Sequence, residues 1–150
     1  MDMFVLDWQE VVNHCITMGI AYMLALPIAW DREKFARTAG LRTFPLVAVA
    51  ACGYTLTGFQ ILGSTEAESR VVQGLITGIG FIGGGAILKR DGGIVEGTAT
   101  AASLWTTGAI GLAVASHRLE IALLLSVTTF LTLHFLRSAK GELDRPAHDD

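Results

Sequence analysis

The side chains with the greatest potential for chemistry lie where the first apolar segment of the chain ends and the second begins. Asp31 and Arg32 follow directly after Trp30, and Arg42 stands just before the second apolar segment. An ionisable side chain at membrane depth is costly unless it is paired or faces water. Asp31 could pair with Arg42, and either could meet Gln73 at the start of the third apolar segment, which together would form a polar pathway. The alternative is a solvated loop whose basic residues contact anionic lipid headgroups.

Glycines recur at helical spacing in the third apolar segment. Gly74 and Gly78 are four residues apart, as are Gly80 and Gly84, so each pair shares one helix face. Glycine lets two membrane helices approach closely. The run Gly83–Gly85 also favours a second interpretation, in which the helix breaks and lines a cavity, because each glycine lowers helix propensity by about 1 kcal/mol relative to alanine.

The fourth apolar segment is built largely of alanine, threonine and glycine. Its hydroxyls, that of Thr100 included, can bond to their own helix or to a neighbour. Its predicted partner is the third segment, since both present small faces and the connection is short. Trp105 either fills the space beside glycines or contacts a ligand. The candidate helix-packing residues are Gly74, Gly78, Gly80, Gly83, Gly84, Thr100 and Trp105.

The apolar segments that position these residues have the composition and length of membrane-spanning helices. Charged residues make up 17% of the chain, against about 25% in an average soluble domain, and they cluster between apolar runs. A spanning helix needs about 20 mostly apolar residues. The candidate spans are residues 11–30, 44–62, 71–88, 98–115 and 119–136. We therefore predict an all-α, polytopic membrane helix bundle of about five transmembrane helices, with a four-span alternative in which the fourth segment, the weakest by hydropathy, is re-entrant.

The basic residues predict an orientation, because Lys and Arg are retained on the cytoplasmic side. With five spans, nine of the eleven Lys and Arg fall in the first connection, the third connection and the tail. We expect an outside amino terminus, a cytoplasmic carboxyl terminus and a disordered tail over residues 138–150.

Several function classes are disfavoured. Cys15 and Cys52 lie inside apolar runs without metal-ligand spacing, so a structural role is expected. The glycine fingerprint of Gly78–Gly83 lacks the βαβ context of a nucleotide site. His14 and His134 are interpreted as hydrogen-bonded structural residues. The net charge of -3 is not that of a nucleic-acid binder, and without a nucleophile–base set we expect neither enzymatic activity nor a cofactor.

Three blocks of sequence resemble the MgtC/SapB family of bacterial inner-membrane proteins, over roughly residues 10 to 136. The blocks are Asp31-Arg32 with Ala39–Thr43, Arg70–Gln73 with Gly78–Ile87, and Gly97 with Thr100–Ala102, Leu104-Trp105 and Ala109–Gly111. The family often has Glu where Asp31 stands and a basic residue where Glu96 stands. Many members continue into a cytoplasmic domain, so this chain is expected to be a short member without it.

The resemblance implies a regulatory role in magnesium homeostasis and virulence, including modulation of the proton-driven ATP synthase. It also implies an alternative, transport of magnesium or another cation by an oligomer, for which Asp31, Arg42 and Gln73 are the candidate residues. A scaffold without a ligand is a third hypothesis. Magnesium would be a transported or sensed ion rather than a cofactor. The lipid bilayer, a second copy in a homodimer and a membrane protein such as the ATP synthase are the expected partners.

Overall fold

The structure is a computed structural model that describes residues 6–35, 39–89 and 95–143, with side chains up to residue 136. Within these residues the chain forms helices α1 to α5 and one hairpin of two short strands, β1 and β2, between α3 and α4. Their bounds are α1 Trp8–Phe35, α2 Thr43–Ile61, α3 Thr65–Gly85, β1 Leu88–Lys89, β2 Val95–Glu96, α4 Thr98–Ala115 and α5 Leu119–Leu143. The predicted all-α membrane bundle is confirmed, and α1, α2, α4 and α5 are long and apolar enough to cross a membrane.

Helix α3 differs from the span predicted over residues 71–88. It begins earlier, at Thr65, because the Ser64 side chain accepts a hydrogen bond from Ala67 N and two glutamates favour the first turn. It ends at Gly85, so its apolar part is about 15 residues, roughly 22 Å. That is shorter than a hydrocarbon core of about 30 Å. By apolar length α3 is therefore the weakest span, whereas the fourth segment forms a helix that is long and apolar enough to cross a membrane.

The glycine run at residues 83–85 ends α3 rather than breaking it within the membrane. The helix is continuous through Gly83 and Gly84. Ala86 N and Ile87 N then donate to the carbonyl oxygens of Gly83 and Gly84, at 3.0 and 3.2 Å, which tightens the last turn. The interpretation of a broken third helix with carbonyls lining a cavity does not match this geometry.

Helix α4 lies at the centre of the bundle and contacts each of the other described helices. Its small residues permit this, since Gly111 packs directly against the Ala48 carbonyl oxygen of α2 and Gly108 packs under the Ile79 side chain of α3. Its buried hydroxyls bond within the helix, Thr107 to Ser103 O at 2.8 Å for example. The predicted packing of the fourth segment on the third is present, as one of several contacts.

Polar contacts also join the outer helices to one another. Ser126 of α5 donates to Leu24 O of α1 at 2.6 Å, and His14 of α1 lies 3.0 Å from the Gln60 side chain of α2. The hydrogen-bonded structural role predicted for His14 matches this contact. Helix α5 runs to Leu143, so the first part of the predicted disordered tail, residues 138–143, is helical, and residues 144–150 lie outside the described part of the chain. Alanine, lysine, glutamate and leucine in that stretch favour a helix.

Candidate functional site

A buried ion pair lies at the carboxyl end of α1. Asp31 is 2% exposed and Arg32 is 7% exposed. The Asp31 Oδ2 atom accepts a hydrogen bond from Arg32 Nη2 at 2.9 Å. Successive side chains on a helix point about 100° apart, so this pairing needs the long arginine side chain to curve back toward its neighbour. Because both side chains are buried, each charge is compensated by that of its partner and not by solvent.

A second ionisable group reaches the same carboxylate from α5. His134 Nδ1 lies 3.8 Å from Asp31 Oδ1, which makes an ion pair when the imidazole is protonated. The ring stacks on Phe130 with 5.6 Å between centroids, and Phe135 meets it edge-on. His134 is 55% exposed, so it connects the buried pair to the surface. Sequence reasoning treated His134 as a structural residue, and its only signal was an ionisable group inside an apolar segment.

The other two predicted pathway residues lie elsewhere. Among the described residues, the Asp31 carboxylate accepts from the Arg32 guanidinium, while Arg42 is exposed at the start of α2. Gln73 is exposed on α3. The four residues predicted as one polar pathway therefore divide into a buried pair and two separate surface positions.

Residues 39–42, just before α2, pack against the carboxyl end of α1. Leu41 N donates to Glu33 Oε2 at 2.9 Å. A side chain at Gly40 would collide with Glu33, so only glycine fits this approach. The Gly40 carbonyl then accepts from Thr43 N and Phe44 N, which begins α2. This contact fixes the end of α1 on which Asp31 stands, and neither Glu33 nor Gly40 was predicted as a site residue.

An apolar groove of about 470 Å³ opens between α2 and α3. Gly74 and Gly78 line it on the α3 side, and a Cβ at either position would meet nothing within 4 Å. Tyr54 and Ala50 line the facing side on α2. These two predicted helix-packing glycines therefore leave space open instead of closing a contact inside the chain.

The remaining predicted packing residues behave differently from one another. A Cβ at Gly83 would lie 3.4 Å from Ala101 O, so this glycine does pack on α4, and one at Gly80 would lie 3.8 Å from the Trp105 indole nitrogen. Gly84 faces open space. Thr100 is buried, whereas Trp105 is 48% exposed beside Gly80. The closest glycine contacts of α4, at Gly108 and Gly111, were not predicted as sites.

Comparison with known proteins identifies the family. The model of the MgtC family matches residues 18–141. The chain belongs to the MgtC family. Among its relatives, SrpB of Synechococcus elongatus is 35% identical over 126 residues, which cover 76% of this chain and 69% of that protein. MgtC of Brucella abortus is 35% identical over 105 residues, 70% of this chain and 43% of that protein.

A third relative carries a name that refers to magnesium. The Escherichia coli K12 protein named "Putative magnesium transporter YhiD" is 36% identical over 125 residues, 79% of this chain and 58% of that protein. The chain thus spans less than half the length of the Brucella MgtC protein and somewhat more than half of YhiD. No solved structure matches the chain.

Part of each block that carries the MgtC resemblance lies at one end of the bundle, while Arg70–Gln73 lies near the other end. The chain passes up and down, so the carboxyl ends of α1, α3 and α5 lie beside the amino ends of α2 and α4. Contacts confirm this arrangement, since Asp31 meets His134, Gly40 meets Glu33, and Gly83 meets Ala101. Gly97 has a φ of 91° and packs on the Ala86 carbonyl oxygen, where a side chain would be both strained and blocked. The first block, the end of the second and the start of the third therefore build the end of the bundle where the buried ion pair lies.

Proposed function

We propose that this protein is a regulatory protein of the bacterial inner membrane that acts in magnesium homeostasis and virulence by binding a helix of another membrane protein. Membership of the MgtC family supports the magnesium role, and the distribution of basic residues supports an outside amino terminus. The proton-driven ATP synthase is the partner that the family resemblance suggests. The observation that carries the proposal is the open groove between α2 and α3.

The groove has the properties of a binding surface for a transmembrane helix. Its lining is apolar, and Gly74 and Gly78 sit four residues apart, so the part of the α3 surface along these two residues carries no side chain over one turn. The backbone of an incoming helix can therefore approach closely there. Because lipid removes the usual hydrophobic drive, such close packing is what associates helices inside a bilayer.

The polar groups of the site support a regulatory role over a chemical one. Asp31 and Arg32 are buried against each other. The described residues contain no group of three or more His, Cys, Asp or Glu side chains that could hold a metal ion. We propose that the protein acts without catalysis or a cofactor, through its contacts alone.

A groove-filling substitution tests the regulatory proposal. Gly78→Leu places a side chain in the groove where a Cβ meets nothing, so the fold should be retained. Gly19→Leu on α1 is the matched control, because Gly19 also faces open space but lies outside the groove. We expect Gly78→Leu to lower recovery of the ATP synthase by affinity purification at least tenfold and to abolish growth in low magnesium.

The control should leave both readouts unchanged at equal membrane abundance. Full recovery of the ATP synthase and full growth with Gly78→Leu would contradict the proposal. Loss of growth with unchanged ATP synthase recovery would contradict the choice of partner.

Cation transport is the second candidate, and the buried carboxylate favours it. Asp31 lies inside the bundle with the half-exposed His134 at 3.8 Å, which could pass charge between surface and interior. Purified protein in liposomes would be tested for magnesium flux with a fluorescent indicator. This candidate predicts flux above that of empty liposomes and its loss in Asp31→Asn. Flux that is absent, or unaffected by Asp31→Asn, would contradict it.

A further inference from the structure

Helix α3 carries polar side chains on part of its outward face. Its inward face is apolar and at least partly buried, whereas a strip of exposed polar residues and glycines runs between the exposed apolar side chains of Ile76 and Phe81. We call this strip the α3 polar stripe, which consists of Glu66, Arg70, Gln73, Thr77, Gly80 and Gly84. The inward face includes Val71, Leu75 and Ile79. In water this pattern is ordinary, but polar groups facing hydrocarbon are disfavoured.

Much of the α3 polar stripe lies at membrane depth. Helix α3 runs antiparallel along α4, because Gly83 lies beside Ala101 while Leu75 and Leu112 line one cleft. Helix α4 is apolar enough to cross the membrane. The residues of α3 between Leu75 and Gly83 therefore share the depth of the middle of α4, and Gln73 is level with its last turn.

One side chain of the stripe has unused hydrogen-bonding capacity. Thr77 Oγ1 donates to Gln73 O at 2.9 Å, so the hydroxyl is satisfied within the helix. The side-chain amide of Gln73, in contrast, has no hydrogen-bond partner among the described residues and is exposed on the stripe. Acyl chains offer an amide neither donor nor acceptor, so contact with lipid alone would leave it unsatisfied.

We propose that a second copy of this chain covers the α3 polar stripe, with the two α3 helices side by side and parallel about a two-fold axis along the membrane normal. The stripe is self-complementary in this arrangement. Glu66 and Arg70 pair with each other at 2.7 Å within one copy and are 79% and 77% exposed, so two copies side by side can exchange these partners and pair the glutamate of each with the arginine of the other. The Gln73 amide is both donor and acceptor and can bond its equivalent.

The glycines of the stripe permit the close approach that this pairing needs. A Cβ at Gly84 meets nothing within 4 Å, so this part of the helix surface is free inside the copy itself. Gly80 lies one turn before Gly84, beside Trp105, whose half-exposed ring extends the same surface onto α4. The stripe is distinct from the groove at Gly74 and Gly78, so this inference does not depend on the proposed function.

Disulfide trapping in native membranes tests the pairing. In a Cys15→Ser, Cys52→Ala background, Thr77→Cys puts one thiol at the middle of the stripe and keeps Gln73. Leu124→Cys is the matched control, since Leu124 is 67% exposed on α5 at a similar depth. With a mild oxidant we expect a disulfide-linked dimer at position 77 and at most a tenth of that yield at position 124.

Equal yields at the two positions, or no dimer at position 77, would overturn the proposal. A cross-linked product of position 77 with the mass of a different protein would overturn it as well, because the stripe would then serve another partner. Gly78→Leu in the same background should leave the yield unchanged, which separates this result from failure of the proposed function.

A charge exchange tests the two-fold geometry. A Glu66→Arg copy carries two positive side chains at the stripe and an Arg70→Glu copy carries two negative ones. With different tags on the two copies, we expect the mixed dimer to be recovered at least threefold more often than either variant with itself. Random pairing would overturn the parallel arrangement.

Gly84→Leu should reduce dimer recovery about tenfold or more, and unchanged recovery would contradict close contact at that turn.

Discussion

Helices α3 and α4 are both rich in small residues, yet they use them in opposite ways. More than half of α4 is buried, and its glycines admit the backbone of α2 and a side chain of α3. On α3, Ile79 and Gly83 are the buried residues, and Gly74, Gly78 and Gly84 face open space. Small residues therefore permit close packing, but they do not determine whether the helix that packs there belongs to the same chain.

The largest effect is expected at Gly111, the closest contact of α4. A side chain there would collide with the Ala48 carbonyl oxygen and lie 2.9 Å from the Ala51 Cβ. Since backbone cannot yield as a side-chain tip does, Gly111→Leu should cost more than about 3 kcal/mol or prevent folding. Thermal unfolding in detergent measures the loss. Gly84→Leu on α3 is the comparison, with a change in monomer stability below about 0.5 kcal/mol. Similar losses at both sites would contradict the contrast between the helices.

The next effect is expected at the buried ion pair. Asp31→Ala leaves the Arg32 guanidinium buried without its carboxylate, which should destabilise the bundle by about 3–5 kcal/mol. The double variant Asp31→Leu, Arg32→Met should recover most of this loss, because it removes both charges together. Unfolding of Asp31→Leu, of Arg32→Met and of the double variant gives the coupling. Strictly additive losses would show that the two side chains do not depend on each other.

A smaller effect is expected where α4 meets α3. A Cβ at Gly108 would overlap the tip of the Ile79 side chain, which can move. Gly108→Ala should therefore cost about 1–3 kcal/mol, and adding Ile79→Val should restore part of it by shortening that tip. The same unfolding assay applies. If Ile79→Val lowered the stability of Gly108→Ala further, the predicted overlap between position 108 and the tip of the Ile79 side chain would be wrong.

The smallest effect is expected at His134. His134→Phe keeps an aromatic ring against Phe130 and removes the imidazole near Asp31. Because the contact is 3.8 Å long and His134 is half-exposed, the change should be below about 1 kcal/mol. Unfolding at neutral pH checks this value, with Phe130→Leu as a control for the ring stack. A loss as large as that of Asp31→Ala would make His134 a main partner of the carboxylate.

The helical bundle was predictable from the sequence because apolar length and charge spacing carry that information directly. The predicted segments correspond to α1, α2, α4 and α5, and the family resemblance is confirmed. The error at α3 has a physical cause. Hydropathy follows the apolar residues 71–88, but the helix ends at Gly85, because consecutive glycines stabilise a helix poorly.

The candidate site was predictable only in part. Asp31 and Arg32 stood out as charges beside an apolar run, and their burial agrees with that signal. The contact with His134 joins residues about 100 positions apart, and the sequence contains no local pattern for it. The glycines could be recognised as packing residues, but the faces they occupy depend on how α3 docks on α4.

Oxygen accessibility of a nitroxide label on α3 tests most directly whether its outward face meets protein or lipid. In liposomes, and in the cysteine-substituted background, the label would be attached at Thr77→Cys and, for comparison, at Leu124→Cys on α5, which lies at a similar depth. If the α3 polar stripe is covered by another copy of the chain, accessibility at position 77 should be at most a third of that at position 124. Equal accessibility at the two positions would show that lipid surrounds α3 and would contradict the pairing of two copies through this stripe.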